Sequence, residues 1–286
     1  MSVRAACPEC GALVGVTILA RVDPRAAELA PIRRPALTAW ALVAFPCFGF
    51  TAAVCVWALR GGDLVEFVAD QSIAGRAMLK QVSLAFVAAS GLAALAMVRP
   101  TSETPKRRSV ITLGCVLLFG VFIALQHRMH FDLEMLWGRP YPPEAMTIER
   151  PILHLASTIC LSLIVLGLRV PWRLFVARSR LMRSGRVDRQ ELNPLVYVLL
   201  IVMAGDVVML AAGLLPDDDL AHTFGWLAMF LIGIGSMLFT VGLLTLTTDA
   251  WRLGPFIRRG AIAPKDVLGP HGSNGSNSTT RNSDAE

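Results

Sequence analysis

Charged residues are scarce in this chain. They make up 17% of its 286 residues, where a soluble globular domain carries roughly 25%. Also missing are the short motifs of familiar catalytic chemistry. The sequence contains no G-x-S-x-G elbow, no phosphate-cradling P-loop and no H-E-x-x-H zinc helix. The segment Gly233-Ile234-Gly235-Ser236-Met237 lacks the final glycine of an intramembrane serine protease motif, so its small residues are read as helix-packing positions. A disulfide framework is excluded too. Of the six cysteines, Cys47, Cys55, Cys115 and Cys160 fall in apolar blocks, where a thiol acts as a small hydrophobe. No cleavable secretory leader is expected, because the early apolar run at 13–20 lacks a basic region and a small-residue cleavage site.

What is present is apolar residues, 54% of the chain, gathered into blocks. A bilayer needs about 20 consecutive apolar residues per helical span. Six blocks meet that length, at 36–59, 81–98, 109–126, 152–170, 195–215 and 223–248. They predict an all-α polytopic integral membrane protein with six transmembrane helices. A segment 1–35 precedes the 36–248 membrane domain, and a tail 249–286 follows it. The tail is Gly/Ser/Asn-rich from about residue 269 and is expected to be disordered there. Pro46 is expected to kink the first helix, and 61–76 carries a helical pattern suited to the membrane surface.

Where the basic residues lie sets the expected orientation. The 27 Lys and Arg residues fall as five in 1–35, four in 99–108, seven in 169–193 and five after Thr248. The alternate connections hold three, three and none. The positive-inside rule then predicts both termini in the cytoplasm of a plasma (inner) membrane protein. Asp217, Asp218 and Asp219 fall on the opposite face. The basic excess is thus a topological signal, compatible with anionic headgroups, and not a nucleic-acid footprint.

One acid breaks the pattern. Asp206 lies near the middle of the fifth block, where an ionised carboxylate costs roughly 2.5–3.5 kcal/mol. It is expected to face other helices, and with no basic residue at similar depth it is expected to be protonated. Ser90, Ser157, Thr158, Ser162, Ser236 and Thr240 are candidate partners, and Ala204, Gly205, Ala212 and Gly213 would let a neighbouring helix approach closely. Asp206 is therefore either a proton or cation relay or a neutral link between helices.

Four histidines fall at the expected outer face: His127 and His130 at the end of the third span, His154 at the start of the fourth and His222 at the start of the sixth. Imidazoles three apart share a helix face and, with a carboxylate, suit Zn, Cu, Ni or Fe. Together they form a candidate outer metal or haem site. Mid-membrane histidines of the kind that hold stacked haems are lacking. The loop 131–150 is proline-stiffened, with Trp137 and Tyr141 fit for an interfacial anchor.

Finally, Cys7-Pro8-Glu9-Cys10-Gly11 resembles the knuckle of zinc-ribbon and rubredoxin-like proteins, with the run at 14–19 as the following strand. The resemblance implies a zinc site on Cys7 and Cys10. A structural zinc takes four ligands, yet residues 11–46 hold neither Cys nor His. Completion would come from Cys115, from His271, or from a second knuckle in a homodimer.

Three roles fit this reading. The first is a non-enzymatic assembly, sensing or accessory component of the membrane. The second is a small proton- or cation-coupled transporter using Asp206. The third is a metal- or haem-dependent redox enzyme using the outer histidines.

Overall fold

The computed structural model describes residues 3–6, 13–16, 31–69, 75–102, 104–133, 148–181, 192–215 and 218–258. A short hairpin comes first: β1 (Val3–Ala6) pairs antiparallel with β2 (Leu13–Val16), Val3 opposite Val16 and Ala6 opposite Leu13. Cys7 and Cys10, the zinc candidates, belong to 7–12 and lie outside the described residues.

Among the described residues six long helices follow: α1 (Pro35–Ala69), α2 (Arg76–Ala96), α3 (Lys106–His127), α4 (Glu149–Leu181), α5 (Asn193–Ala212) and α6 (Asp218–Arg258). Each contains a stretch long and apolar enough to cross a membrane. The helices extend beyond the apolar blocks that announce them. Backbone hydrogen bonding continues as long as no breaker intervenes, whereas hydropathy falls at the first charged residue. Thus α1 runs through Gly61 and Gly62 to Ala69, and α6 continues past Thr248 to Arg258.

The helices form a closed ring in chain order. Each packs on the next, and α6 returns to pack on α1. Neighbours are antiparallel, so α1, α3 and α5 finish at one end, called here the upper end, where α2, α4 and α6 begin. At the lower end the chain preceding α1 is tied to the α2–α3 connection by Arg33 N–H donating to Pro100 O (3.0 Å), and Thr101 bonds Thr104 across that connection (2.8 Å).

Small and hydroxylated residues set the helix contacts, because small side chains let helix backbones approach closely. A methyl group added at Gly205 of α5 would meet the α6 backbone at Ala228 O and Ile232 N, both 3.0 Å away. Gly235 of α6 is as close to α5, at Val202. Gly205 therefore meets the expectation of a close approach. Gly213 touches only its own helix end. Between α1 and α2, Ser90 Oγ donates to Phe45 O (2.9 Å) and Ser83 Oγ to Ala52 O (3.3 Å).

Three helices contain an internal proline: Pro46 in α1, Pro171 in α4 and Pro255 in α6. Proline lacks the N–H that would bond the carbonyl four residues earlier. For Pro171 that carbonyl belongs to Gly167, and Thr112 of α3 donates its hydroxyl to it at 3.2 Å. Gly167 also lies directly against Cys115. The bond missing within α4 is thus replaced by one that joins α3 to α4.

The outer surface of the ring is apolar. Trp40, Leu92, Val110, Phe230 and Trp251 are among its most exposed side chains.

Candidate functional site

A cavity of about 500 Å³ occupies the middle of the ring, and all six helices contribute to its wall. Its lower part is apolar, built from residues such as Phe45, Phe119, Ile164, Leu195 and Leu243. Polar groups gather towards the upper end: Lys80 of α2, Gln126 and His130 at the end of α3, Arg150 and His154 of α4, and Asp206 of α5. Such a volume and such a division of apolar wall from a few convergent polar groups are usual for small-molecule sites.

The centre of the polar group is a pair. Asp206, 1% exposed, is hydrogen-bonded through Oδ1 to His154 Nδ1 at 2.6 Å, and the His154 side chain is 23% exposed. Helix geometry brings the two together. Asp206 lies six residues before the end of α5 and His154 five residues after the start of α4. At 1.5 Å rise per residue, these antiparallel neighbours hold the two side chains about 9 and 7.5 Å below the upper ends of their helices.

Taking the fourth apolar block to begin at residue 152 puts His154 on the rim and leaves Asp206 without a basic partner. The helix in fact starts at Glu149, which draws His154 into the ring. Matching heights along antiparallel neighbours, counted from capped helix ends, is the signal that would have paired the two.

Thr158, one of the expected hydroxyl partners, is also at the pair. Its Oγ1 lies 2.9 Å from His154 O and 3.4 Å from Asp206 Oδ2. A hydroxyl has one proton, and the shorter contact claims it. Ser90, Ser157, Ser162 and Thr240 instead donate to backbone carbonyls. Ser236 and Thr240 line the cavity, and Thr240 accepts a bond from Trp57 Nε1 at 3.2 Å.

The other histidines take separate roles. His130 is buried, lines the cavity and bonds Gln126 Oε1 at 3.0 Å. It sits in a π-helical turn, Arg128–Asp132, that extends α3, an irregularity frequent at functional sites. Arg128 in that turn reaches Asp132 (3.4 Å) and Glu149 (3.2 Å), which fastens the end of α3 to the start of α4. His127 is exposed and stacks on Phe131. His222 accepts a bond from Trp226 Nε1 at 2.8 Å. Only His130 and His154 of the four candidate histidines line the cavity, and among the described residues no group of three or more metal-ligating side chains comes together.

A second buried acid lies at the lower end. Asp249 of α6 is 3% exposed, with Arg252 Nη1 3.8 Å from Oδ1 and no hydrogen-bond partner for Oδ2 among the described residues. It falls one residue beyond the sixth apolar block, so hydropathy alone puts it outside, whereas the continuing helix buries it.

Comparison of the chain with protein-family models, with curated proteins and with solved structures gives no match. What the site does must therefore be argued from its own chemistry.

Proposed function

We propose that this chain is a multi-pass membrane protein, with both termini cytoplasmic, that carries a small, largely apolar molecule through its ring and couples that movement to a proton held at His154 and Asp206. Membrane insertion is supported by six apolar stretches around an apolar outer surface. The orientation is supported by the excess of basic residues in the lower-end connections and tails.

The observation that carries the carrier reading is the 2.6 Å bond between a buried carboxylate and an imidazole in the wall of a cavity formed by all six helices. A purely structural link needs no cavity beside it. When a neutral His154 donates through Nδ1 to the Asp206 carboxylate, its Nε2 remains an acceptor. A proton taken up at Nε2 changes the pair from net negative to neutral, with the Nδ1–Oδ1 bond intact. Lys80 and Arg150 line the same cavity, so this single proton changes the field that an occupant meets. By linkage, an occupant that prefers one of the two charge states biases proton binding in turn.

The test is a flux measurement. Purified protein is reconstituted into liposomes containing a pH-sensitive dye, and a panel of single-chain amphiphiles is added outside. The expected result is a change of internal pH that depends on the protein and disappears in Asp206→Asn. If no amphiphile moves protons beyond the leak of empty liposomes, the carrier reading fails. Binding without flux would favour a sensing component instead.

A further inference from the structure

The Asp206 side chain is 1% exposed, so an occupant of the cavity meets the buried pair through the imidazole of His154, which is 23% exposed. Nδ1 of that ring is tied to Asp206 Oδ1, and among the described residues no hydrogen bond is made at Nε2. Many other polar groups of the wall are already committed. Ser83, Ser90, Ser157, Thr158 and Thr240 each give their one proton to a backbone carbonyl, and Trp57 gives its Nε1 proton to Thr240. His154 Nε2 is thus an open hydrogen-bonding position beside an apolar space built from Phe45, Phe119 and Leu243.

The proton count of the pair decides what Nε2 offers. With one proton, held on Nδ1 against the carboxylate, Nε2 is a bare acceptor. With a second proton, Nε2 carries hydrogen whether the shared proton sits on Nδ1 or on Oδ1. A hydroxyl head matches both states, since it donates to the first and accepts from the second. A ketone, ester or ether oxygen only accepts, so it matches the second state alone. Coupling to a proton requires an occupant that distinguishes the two states. Resting on the carrier reading, we infer that the substrate is an uncharged lipophile with an acceptor-only head, a ketone, ester or ether. Its oxygen accepts from His154 Nε2, its apolar part lies among Phe45, Phe119 and Leu243, and it binds together with one proton. That proton comes from water and forms the Nε2–H bond, with no exchange of electrons.

Equilibrium binding tests this without any gradient. Methyl undecyl ketone and the corresponding secondary alcohol share one carbon skeleton and differ in the head. Binding of each, tritiated, to the purified full-length protein is measured by scintillation proximity from about pH 5 to about pH 9, a window that brackets imidazole titration. The ketone is expected to bind tightest at the acid end, where the pair holds its second proton. Above the titration of the pair its affinity should fall by up to about ten-fold per pH unit, one proton being bound with each molecule. The alcohol, matched to both states, should change by less than about three-fold. The infrared carbonyl band of the bound ketone should lie below its position in hydrocarbon solvent, as hydrogen bonding requires. Lys80, His130 and Arg150 share the cavity, whereas among the described residues α1 and α6 add no titratable group to its wall. His130→Gln should therefore keep the pH dependence, and His154→Phe should remove it together with the infrared shift.

A ratio of ketone to alcohol affinity that stays constant across the window overturns the inference. So does a pH dependence that survives His154→Phe, or a carbonyl band at its hydrocarbon position. The two ligands on the unsubstituted protein decide the matter even if a variant fails to fold. The two proposals fail separately. Proton-linked ketone binding without flux in liposomes removes the carrier reading alone, while proton flux driven equally by ketone and alcohol removes the head-group assignment alone.

Discussion

Replacing Asp206 by Asn and by Ala separates a helix link from a proton site. Asn keeps the size of the side chain and an oxygen at the Oδ1 position, so His154 Nδ1 still has an acceptor 2.6 Å away. What is lost is the charge assistance. A hydrogen bond to a charged group contributes about 1.5–3 kcal/mol and a neutral one about 0.5–1.5, and helix-to-helix bonds within membranes average about 0.6 kcal/mol. Asp206→Asn should therefore cost about 1 kcal/mol of folding stability. Asp206→Ala removes the acceptor and leaves a part-buried imidazole N–H unmet, which costs about 1–3 kcal/mol. Equilibrium unfolding in mixed micelles at increasing fractions of a denaturing detergent measures both. Flux should follow a different order: Asn carries no titratable proton, so both variants should lose coupled proton movement by ten-fold or more. An Asn variant that retains wild-type flux, or that is as unstable as the Ala variant, would refute the reasoning and leave Asp206 as structural glue.

Other perturbations address the frame around the site. Thr112→Val removes the hydroxyl that serves Gly167 O in place of the proline-deleted bond; stability measured by thermal unfolding should fall by about 1 kcal/mol, with cavity binding retained. Gly205→Ala and Gly114→Ala should act in opposite directions. The first drives a methyl against the α6 backbone at 3.0 Å and should cost about 1–3 kcal/mol, whereas the second meets nothing within 4 Å and should be neutral or stabilising by up to about 1 kcal/mol. If the Cys7–Cys10 knuckle holds zinc between two copies of the chain, elemental analysis should find about one zinc per two chains, and Cys7→Ser with Cys10→Ser should abolish both the metal and the dimer.

The helical frame is legible in the sequence because a membrane-sized apolar run has one compact solution, a helix that satisfies its own backbone. Helix ends are less legible. The apolar block at 152–170 gives no hint that α4 starts at Glu149 and continues to Leu181, and that three-residue difference hides the partner of Asp206. The acid itself stands out because a charge inside an apolar block is costly, and Gly205 beside it correctly signals the close contact with α6. The cavity was not legible. It depends on α6 returning to α1 so that six helices enclose a space, and the side-chain pattern along each helix does not encode that closure. For Asp249 the reason is different, since its burial follows from a helix that outlasts its hydropathy. The four histidines illustrate a further limit: a common end of the bundle does not bring side chains together, and His127 and His222 find partners on their own helices.

Nitrogen-15 NMR of histidine-labelled protein in lipid nanodiscs observes the proton between His154 and Asp206 directly. His154→Gln identifies the resonances of that ring among the five histidines. An Nδ1 signal displaced by a strong hydrogen bond and perturbed by Asp206→Asn is expected, with an Nε2 signal that shifts towards the protonated form when a transported amphiphile fills the cavity. A His154 ring that resembles a free imidazole, and that responds neither to Asp206→Asn nor to the amphiphile, would contradict the carrier reading.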